Sequence, residues 1–377
     1  MTLCLAMVSS YYPPLVGGIA SQVHGTAQAL VQLGVDTHVI TRHWDAEAPA
    51  VTSAVESTGI TVHRLNTGKQ RWQASPTYIW QVASLVRGIR PAVIHAHELL
   101  LPTTAALAAK RVTGRPVVAT VHSSGSELGE CARLQRATLG SQRVQYVRSA
   151  VDCFVAVSKA VAADMEAIGI PPQKRVVIPN GVDMQRFQPV TPDAKGELRR
   201  RLGLPDGILV VYTGRLAPEK RVLPLAQQWP SLRQAYPDAT LVLVGEGPEM
   251  DALRSLQLPG IWLAGPQQDT APFLQAADLF VMPSVSEGFS LSTLEALACG
   301  LPAVATKVGA IPDLVADGKT GTLVAPGDIA ALLAALCELL ADRGAWAAMG
   351  RAARTDVIEN YSLPSTARRL LDLYERL

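Results

Sequence analysis

Two pairs of charged side chains in the second half of the sequence lie where a strand-like run gives way to a loop or a helix. Arg215 and Lys220 follow one apolar run and are five positions apart. Arg can donate forked hydrogen bonds to phosphate oxygens and Lys can act as a point charge, so this loop is suited to a diphosphate. Glu287 and Glu295 are eight positions apart, across the start of a helix predicted near Ser290. A solvated cationic surface, a helix cap at Glu287 and a solvated Glu295 are the structural alternatives.

Paired glycines near the N-terminus are a second candidate phosphate contact. Gly17 and Gly18 follow the first strand-like run and precede a helical pattern that ends at Gly34. Glycine lets the backbone approach a phosphate closely, and a helix N-terminus adds partial positive charge. The spacing differs from the dinucleotide fingerprint G-x-G-x-x-G, and a tight strand-to-helix turn explains the pair equally well.

Histidines supply the remaining candidate site and an alternative metal chemistry. All seven lie in the first third of the chain. His95 and His97 alternate on one predicted strand and His122 ends a later one, so a three-histidine zinc site is an open alternative. A metal-bridged diphosphate is disfavoured, because the sequence has no Asp-x-Asp, and Asp164 and Glu166 in a helical pattern do not share a face.

The composition fits two globular domains and excludes several other classes. The chain has 377 residues, and typical domains have about 150. Hydrophobic residues make up 48%, charged residues 18% and aromatic residues 5%, which argues against disorder and against an aromatic-studded nucleic-acid groove. The net charge of +2 conceals a basic first half, with 17 Lys and Arg against 11 Asp and Glu in residues 1–186, and an acidic remainder with 17 against 21.

Cysteine usage and hydropathy predict a chain that stays in a reducing compartment. The five cysteines are odd in number, widely spaced and without a CxxC pair, so no disulfide framework is predicted. The longest apolar run, residues 329–337, has nine residues, whereas a membrane span needs about 18. The first apolar run lacks a preceding basic segment and is interpreted as a strand, not as a signal peptide. The expected location is the cytoplasm.

Strand-like runs alternate with helical patterns through both halves, which predicts two parallel sheets with helices between their strands. The runs are residues 3–8, 36–41, 60–64, 92–97, 117–122, 153–157 and 175–178, and then 208–213, 239–245, 261–265, 279–284, 302–306 and 321–324. Two prolines and a loss of periodicity predict a linker around residues 187–193. Ligands are expected at the carboxyl ends of the strands, in a cleft between two domains.

The order and spacing of these motifs resemble those of the retaining glycosyltransferases of family 4, across essentially the whole chain. The motifs are Gly17-Gly18, His97 and His122 at strand ends, Ile178-Pro-Asn-Gly-Val-Asp183, Gly214-Arg215 with Glu219-Lys220, Gly245-Glu-Gly-Pro248, and Glu287 with Glu295. The resemblance implies the GT-B fold, an α/β arrangement of two facing Rossmann-like domains, each with a doubly wound parallel sheet. It implies an acceptor-binding domain at 1–186, completed by a returning C-terminal helix at 360–377, and a domain at 187–359 that binds a nucleotide-sugar donor.

By this resemblance the candidate residues have distinct roles. Arg215 and Lys220 bind the donor diphosphate, Glu295 binds the ribose hydroxyls, and Glu287 binds the donor sugar. The implied set is catalytic His122, Glu287, Arg215 and Lys220; donor-binding Gly17, Gly18, Arg215, Lys220, Gly245, Phe289, Ser290, Leu291, Ser292 and Glu295; and acceptor-binding His97, His122 and Ser123. No metal and no cofactor beyond the nucleotide-sugar cosubstrate are implied.

The implied activity is transfer of a hexose from a UDP-linked or GDP-linked sugar to an acceptor hydroxyl, with retention of configuration. Fixed cations and helix N–H groups would stabilise the departing diphosphate without a metal. Two positions depart from the pattern, because many relatives have Gly at Ser290 and Asp or Gly at Ser123. A nucleotide-sugar epimerase or hydrolase on the same fold and a noncatalytic nucleotide-sugar-binding protein are the alternatives, and the two spaced glutamates favour transfer.

The acceptor is predicted to bind the first half of the chain. Residues 127–150 carry Arg133, Arg136, Arg143 and Arg148 among apolar residues, which predicts a basic amphipathic helix able to touch anionic lipid. A solvated helix face explains the same pattern. The acceptor alternatives are therefore a glycan or lipid-linked acceptor, with peripheral contact to the inner face of an anionic membrane, and a small soluble molecule such as a sugar, inositol or aminocyclitol. No nucleic-acid partner is expected.

Overall fold

Two compact units divide the chain. Unit 1 consists of the residues up to Gly181 together with Leu363–Leu377, and unit 2 consists of Val182–Ser362. The computed structural model describes residues 2–15, 17–43, 48–67, 71–125 and 129–377, with the side chains of residues 71–74 outside the description. Within these ranges, no helix combines the length and apolarity that crossing a bilayer would need.

The sheet of unit 1 is parallel except at one edge. Its strands are β1 (Cys4–Ser9), β2 (Asp36–Arg42), β3 (Val51–Val55), β4 (Thr61–Leu65), β5 (Val93–His97), β6 (Val117–Val121), β7 (Cys153–Ala156) and β8 (Arg175–Val177), in the order β3-β4-β2-β1-β5-β6-β7-β8. β5, β6 and β7 are buried along their whole length, as expected for strands inside a parallel sheet, although β5 contains His95 and His97. The sequence did not predict β3, which pairs antiparallel with β4. This edge strand is mostly exposed, so it carries no hydrophobic alternation.

Helices connect the strands of unit 1. They are α1 (Gly18–Gln32), α2 (Arg71–Ile89), α3 (Leu101–Thr113), α4 (Glu130–Arg136), α5 (Gly140–Ala150) and α6 (Lys159–Ala167). The first helical pattern is confirmed, since α1 buries Val23, Ala27 and Leu30, and Gly34 beyond it has a φ of 86°.

The single basic helix predicted over residues 127–150 is wrong. Its described part forms α4 and α5, because Ala137 is extended and Leu139 has a left-handed φ of 58°. Leu134, Val144 and Val147 are buried in the protein, so they do not form an apolar face for a membrane. Residues 127 and 128 at its start lie outside the described ranges.

Unit 2 is built on a second, entirely parallel sheet. Its strands are β9 (Ile208–Thr213), β10 (Ala239–Val244), β11 (Ile261–Gly265), β12 (Leu279–Met282), β13 (Ala303–Thr306) and β14 (Gly321–Val324), in the order β11-β10-β9-β12-β13-β14. Its helices are α7 (Pro192–Leu202), α8 (Val222–Ala235), α9 (Met250–Leu256), α10 (Ala271–Ala276), α11 (Leu291–Ala298), α12 (Ile311–Leu314), α13 (Ile329–Ala341) and α14 (Arg343–Asn360). Each of the six strand-like runs of this half is a strand.

The second of the two prolines in residues 187–193 marks the start of a helix, and neither lies at a junction between the units. Pro192 is the first residue of α7, and the Thr191 side chain accepts the Ala194 N–H as a helix cap. Phe187 is buried. The chain passes between the units after Gly181 and returns after Ser362, so the predicted linker lies inside unit 2.

The last helix, α15 (Leu363–Tyr374), packs in the core of unit 1. Ala367, Leu370 and Tyr374 are buried in the cluster that also contains the apolar face of α1. At the start of α15, a Cβ placed on Gly181 would lie 2.7 Å from the Leu363 Cα. Glycine in the Pro-Asn-Gly motif is therefore required for the close approach of this helix.

The strand order reverses once in each sheet, between β1 and β5 in unit 1 and between β9 and β12 in unit 2. Doubly wound sheets bind ligands outside the carboxyl ends of the strands at such a reversal. Candidate site residues are therefore expected in the loops after these four strands and after their neighbours β6 and β10.

Candidate functional site

The loop after β9 in unit 2 is held against the loop after β10 by backbone contacts. The Gly214 N–H donates to the Val244 carbonyl at 3.0 Å, and the Leu216 N–H donates to the Glu246 carbonyl at 2.8 Å. Gly245 has a φ of 142°, and a Cβ there would collide with the Gly214 carbonyl oxygen. Glycine at 245 is therefore needed for packing between the loops.

Lys220 and Glu287 meet between the loops that follow β9 and β12. Lys220 Nζ lies 2.7 Å from Glu287 Oε1, and the Ser284 hydroxyl donates to the same oxygen at 2.7 Å. The Val285 N–H donates to the Glu219 carbonyl at 2.9 Å, which ties the two loops together. The side chain of Glu287 is 7% exposed and that of Lys220 is 20% exposed, so salt screens this pair weakly. The adjacent cation and carboxylate can bind a phosphate and a hydroxyl of one ligand.

Backbone donors at the N-terminus of α11 follow this pair in the sequence. Ser290 precedes the helix with a φ of 58° and makes no side-chain cap. Its hydroxyl instead bonds the Thr293 hydroxyl at 2.8 Å. The first N–H groups of a helix have no acceptor within it, so those of Leu291 and Ser292 can bind an anion or a hydroxyl oxygen. The left-handed backbone costs a non-glycine residue about 1–2 kcal/mol.

Glu295 lies in the second turn of α11, and its charge is set by burial. Desolvation raises the pKa of Glu295 to about 7, with Asp269 adding to the rise and Arg186 opposing it. Arg186 also pairs with Asp269 at 2.8 Å. A carboxyl that titrates near neutrality loses acceptor capacity when the pH falls below that value.

Arg215 is the exposed cation of the loop after β9. Its carbonyl accepts a hydrogen bond from the buried Tyr212 hydroxyl at 2.8 Å, which fixes the backbone at this residue. The guanidinium makes no hydrogen bond or ion pair with the described residues and so remains able to bind an anion.

His97 and His122 lie side by side at the carboxyl ends of the neighbouring strands β5 and β6 in unit 1. Their rings stack with centroids 5.3 Å apart, and His97 Nδ1 lies 3.1 Å from His122 Nε2. Burial lowers the pKa of His122 to about 4 and lowers the pKa of His97 well below its ordinary value. Both rings are therefore neutral at pH 7, and His122 can act as a hydrogen-bond donor or acceptor without a positive charge.

The hydrogen bonds of His95 exclude the three-histidine zinc site. Its Nδ1 lies 2.6 Å from the Tyr374 hydroxyl and its Nε2 lies 2.7 Å from the Thr120 hydroxyl, so both ring nitrogens are engaged in the core. Among the described residues, the potential metal ligands that do converge lie toward the amino ends of β1 and β2: Cys4, Asp36 and His38. These ends lie at the edge of the sheet opposite His97.

Gly17 leaves open space before α1. It has an extended backbone, and no side chain caps the helix. A Cβ on Gly17 would meet no described atom within 4 Å, so packing does not require glycine there. Gly18 is the first residue of the helix, whereas residue 16 lies outside the described ranges. This uncapped N-terminus is accessible to a ligand.

Two glutamates of unit 1, Glu98 and Glu130, lie close to the ends of β5 and β6 near the histidine pair and were not predicted as site residues from the sequence. Glu98 directly follows His97 with a φ of 87°, and its Oε2 is buried with no hydrogen-bond partner among the described residues. Burial raises the pKa of Glu98, while hydrogen bonds from Ser10 and the charge of Arg133 oppose the rise. Glu130 is buried and bonds the backbone of two loops. Glu98 has one sequence signal, since it is an acidic residue directly after a buried strand, whereas Glu130 lies nine residues after β6, at the start of α4.

A cavity of about 700 Å³ in unit 1 is lined by arginines of α4 and α5. Arg133, Arg136 and Arg143 contribute its basic lining, and Leu100 contributes to its apolar wall. Forked guanidinium groups bind phosphate and carboxylate oxygens. The cavity therefore suits an anionic group that is attached to an uncharged body.

Comparisons with known proteins match both halves of the chain. Residues 16–186 match the family described as Glycosyltransferase Family 4, and residues 207–342 match Glycosyl transferases group 1. A GDP-mannose-dependent alpha-(1-6)-phosphatidylinositol monomannoside mannosyltransferase of Mycolicibacterium smegmatis is 30% identical over 98% of this chain and 97% of its own length. The chain belongs to glycosyltransferase family 4.

Other members and structures extend this assignment. A D-inositol 3-phosphate glycosyltransferase of Salinispora tropica is 31% identical over 95% of this chain and 80% of that protein. A crystal structure of Anabaena Alr3699/HepE in complex with UDP has a TM-score of 0.80 at 21% identity and covers all of both chains. The predicted GT-B fold is confirmed. This family 4 member is a glycosyltransferase that uses a nucleotide sugar.

The predicted site residues of the glycosyltransferase fall into two groups, one in each unit. In unit 2, Lys220 contacts Glu287, and the other predicted residues there are Arg215, Gly245, Phe289, Ser290, Leu291, Ser292 and Glu295 on the loops after β9, β10 and β12 and on α11. In unit 1, His97 contacts His122. Ser123 lies on the loop after β6, Gly17 lies on the loop after β1, and Gly18 is the first residue of α1. Sequence reasoning missed Ser284, which bonds Glu287, and Gly309, whose added Cβ would collide with the Glu287 backbone.

Proposed function

We propose that this glycosyltransferase moves a hexose from a nucleoside-diphosphate sugar to a hydroxyl of a phosphate-bearing acceptor, with retention of configuration and without a metal ion. Unit 2 binds the donor and unit 1 binds the acceptor. UDP-hexoses are the first donors to test and GDP-hexoses the second, because UDP is the ligand named for the Anabaena structure and GDP-mannose is the donor named for the mycobacterial relative.

The observation that carries the proposal is the contact of Lys220 with Glu287 at the strand reversal of unit 2. In the proposed complex, Lys220 and Arg215 bind the diphosphate and Glu287 accepts hydrogen bonds from the sugar. The N–H groups of residues 290–292 contribute further donors, and Glu295 binds the ribose. Breaking the anomeric C–O bond leaves negative charge on the diphosphate, and these preorganised cations and dipoles stabilise it without a divalent cation.

Retention is proposed through attack of the acceptor hydroxyl on the face of the sugar from which the diphosphate departs. Glu287 is engaged with both Lys220 and Ser284, which favours a binding role over a role as a covalent nucleophile. His122 is proposed as the catalytic hydrogen-bonding group. Its lowered pKa keeps it neutral, so it can bond a sugar hydroxyl without competing for the diphosphate as a cation. His97 and Ser123 are proposed acceptor contacts.

The acceptor proposal rests on the arginine-lined cavity of unit 1. Arg133, Arg136 and Arg143 line one volume of about 700 Å³, which is enough for a small phosphorylated molecule or a lipid headgroup. The two relatives described above are named for phosphatidylinositol monomannoside and for inositol 3-phosphate, and both names contain a phosphate. A phosphate-bearing polyol is therefore the proposed acceptor class.

A thermal-shift panel of UDP- and GDP-hexoses tests the proposal, followed by transfer assays with the best donor in EDTA. A donor at 100 times its dissociation constant should add about 2.7 kcal/mol to the free energy of unfolding. Soluble inositol phosphate and phosphatidylinositol vesicles distinguish a small acceptor from a membrane acceptor, and proton NMR of the product determines the anomeric configuration.

The arginine variants provide the controls for the acceptor. Arg133→Ala and Arg143→Ala should weaken acceptor binding and leave donor binding unchanged, whereas Arg115→Ala, an exposed arginine outside the cavity lining, should change neither. No melting shift with any donor and no transfer to any acceptor would refute the proposed function. An inverted product or a strict metal requirement would refute the corresponding part.

A further inference from the structure

We propose that Glu130 is a positioning residue for His122, and that its buried carboxylate sets the geometry of the two loops that carry the histidine pair. The inference rests on the proposed function, because that proposal assigns the catalytic role to His122. Glu130 itself reaches neither substrate in this proposal. It acts through the backbone that holds the histidines.

The carboxylate of Glu130 bridges the ends of two adjacent strands. Its Oε1 accepts the His122 N–H at 2.7 Å, and its Oε2 accepts the Leu99 N–H at 2.7 Å. His122 is the first residue after β6, and Leu99 is the second residue after β5. The residue is 3% exposed, so water does not compete for these bonds. One side chain therefore fixes both loops against each other.

This bridge acts on the distance between the two imidazoles. His97 precedes Leu99 by two residues, and its Nδ1 lies 3.1 Å from His122 Nε2. Charge-assisted hydrogen bonds that backbone N–H groups donate to a carboxylate are among the stronger ones in proteins. If the bridge breaks, the backbone at His122 loses its fixed acceptor, and the ring no longer has a single position. Misplacement of a catalytic group by about 1 Å can reduce a rate by about 100-fold.

The bridge also depends on the charge of Glu130. Burial raises the pKa of its carboxyl to about 7, Glu98 adds to the rise, and the backbone N–H groups of His122, Leu99 and Ser123 oppose it. When the carboxyl is protonated, one oxygen becomes a donor, and two N–H groups are no longer both well bonded. The bridge is therefore complete above about pH 7 and weakened below it.

Other titratable groups surround this carboxyl, and their behaviour separates them from it. Cys131 on α4 has a thiol pKa that burial, Glu130 and Asp164 raise to about 12, so the thiol stays protonated across neutrality. The pKa values of His97 and His122 lie well below neutrality. Among the described residues, Glu98 is the acid whose charge raises the pKa of Glu130, and Glu98→Gln is included to identify its contribution.

The variants Glu130→Gln and Glu130→Asp test the role of this carboxylate. Glu130→Gln keeps the shape but has only one acceptor oxygen, and Glu130→Asp keeps the charge on a shorter side chain. Glu166→Gln is the matched control, because Glu166 lies in the same unit with 74% of its side chain exposed. For Glu130→Gln we expect a kcat about 10- to 100-fold lower, an unchanged donor dissociation constant, and loss of the rise in kcat with pH through about 7. Glu130→Asp should recover part of the rate and the pH dependence.

A merely structural role would give a different result. Parallel losses of kcat, donor affinity and melting temperature in Glu130→Gln would overturn the inference. So would wild-type kcat and a wild-type pH profile in that variant, or the removal of the pH dependence by Glu98→Gln alone.

Amide NMR of the full chain tests, without an activity assay, whether Glu130 bridges the two loops. In the wild type, the amide resonances of His122 and Leu99 should titrate together with a midpoint near pH 7, and in Glu130→Gln both should be flat. Independent or absent titration in the wild type would overturn the bridge. Shared titration in a protein that transfers no sugar would refute the proposed function while supporting the bridge, so the two failures are distinguishable.

Discussion

Replacing Lys220 and Glu287 separately should divide donor binding into its phosphate and sugar parts. Lys220→Met removes the cation proposed to bind the diphosphate and with it the ion pair of Glu287, which is 7% exposed and keeps its hydrogen bond from Ser284. A hydrogen bond to a charged group contributes about 1.5–3 kcal/mol, which corresponds to an affinity loss of about 10- to 150-fold. This loss should apply equally to the nucleoside diphosphate and to the nucleotide sugar, because both carry the diphosphate.

Glu287→Gln should act on the sugar alone. The nucleotide sugar should bind about 10- to 150-fold more weakly, for the same reason and by the same magnitude. The nucleoside diphosphate should bind as tightly as before or more tightly, because Lys220 loses the carboxylate 2.7 Å away that neutralises it. In the Lys220→Met/Glu287→Gln double variant, no buried negative charge repels the bound diphosphate, so the loss of affinity for the nucleoside diphosphate should be smaller than in Lys220→Met.

Isothermal titration calorimetry measures the affinity of the wild type, the two single variants and the double variant for the nucleoside diphosphate and for the nucleotide sugar. Lys307→Met is the control, since Lys307 lies in the same unit, is 52% exposed and stands 3.8 Å from its partner Asp317. An exposed pair of this kind should have no effect on either ligand. The reasoning is refuted if Lys220→Met binds the nucleoside diphosphate normally, or if Glu287→Gln loses the nucleoside diphosphate as strongly as the nucleotide sugar.

Two further predictions concern a second carboxyl and the returning helix. The affinity for the nucleotide sugar should weaken by up to about tenfold between pH 8 and pH 6, because the pKa of Glu295 is raised to about 7 and protonation removes an acceptor. In Glu295→Gln, the affinity measured by calorimetry should not change across this range. An affinity of the wild type that does not depend on pH would contradict the assignment. Tyr374→Phe should lower the free energy of unfolding by about 1–3 kcal/mol, because it removes the hydroxyl 2.6 Å from His95 Nδ1 and leaves that buried nitrogen unpaired. An unchanged midpoint of urea unfolding would show that this hydrogen bond does not stabilise the protein.

The sequence predicts the parts of this fold that depend on local pattern. Nearly continuous apolar runs identify β7, β9 and β10, because strands buried on both faces favour apolar residues at every position. The exposed strand β3 has no such constraint and was missed. The break between α4 and α5 was also missed, because it is decided at Leu139, a residue whose left-handed backbone its side chain does not indicate.

The candidate site was predictable in its residue types and not in its contacts. Arg215, Lys220 and Glu287 stand at strand ends, which the pattern already shows. The contact between Lys220 and Glu287 joins residues 67 positions apart, and it follows from the adjacency of β9 and β12, which a single sequence does not state. The role of Glu130 could not be predicted for a similar reason. Its partners are backbone N–H groups, which every residue except proline has, so no residue type in the sequence indicates the contact.

Glu130 and Glu295 should both contribute to the pH dependence of this enzyme, and the two contributions can be measured separately. Burial raises both pKa values to about 7, so both carboxyls lose charge over the same range of pH. They act on different quantities, because Glu295 is proposed to bind the donor and Glu130 to hold the loops of His122. Acidification should therefore raise the donor dissociation constant through Glu295 and lower kcat through Glu130. At saturating donor only the second effect remains, so kcat against pH should follow Glu130 alone and should be unaffected by Glu295→Gln.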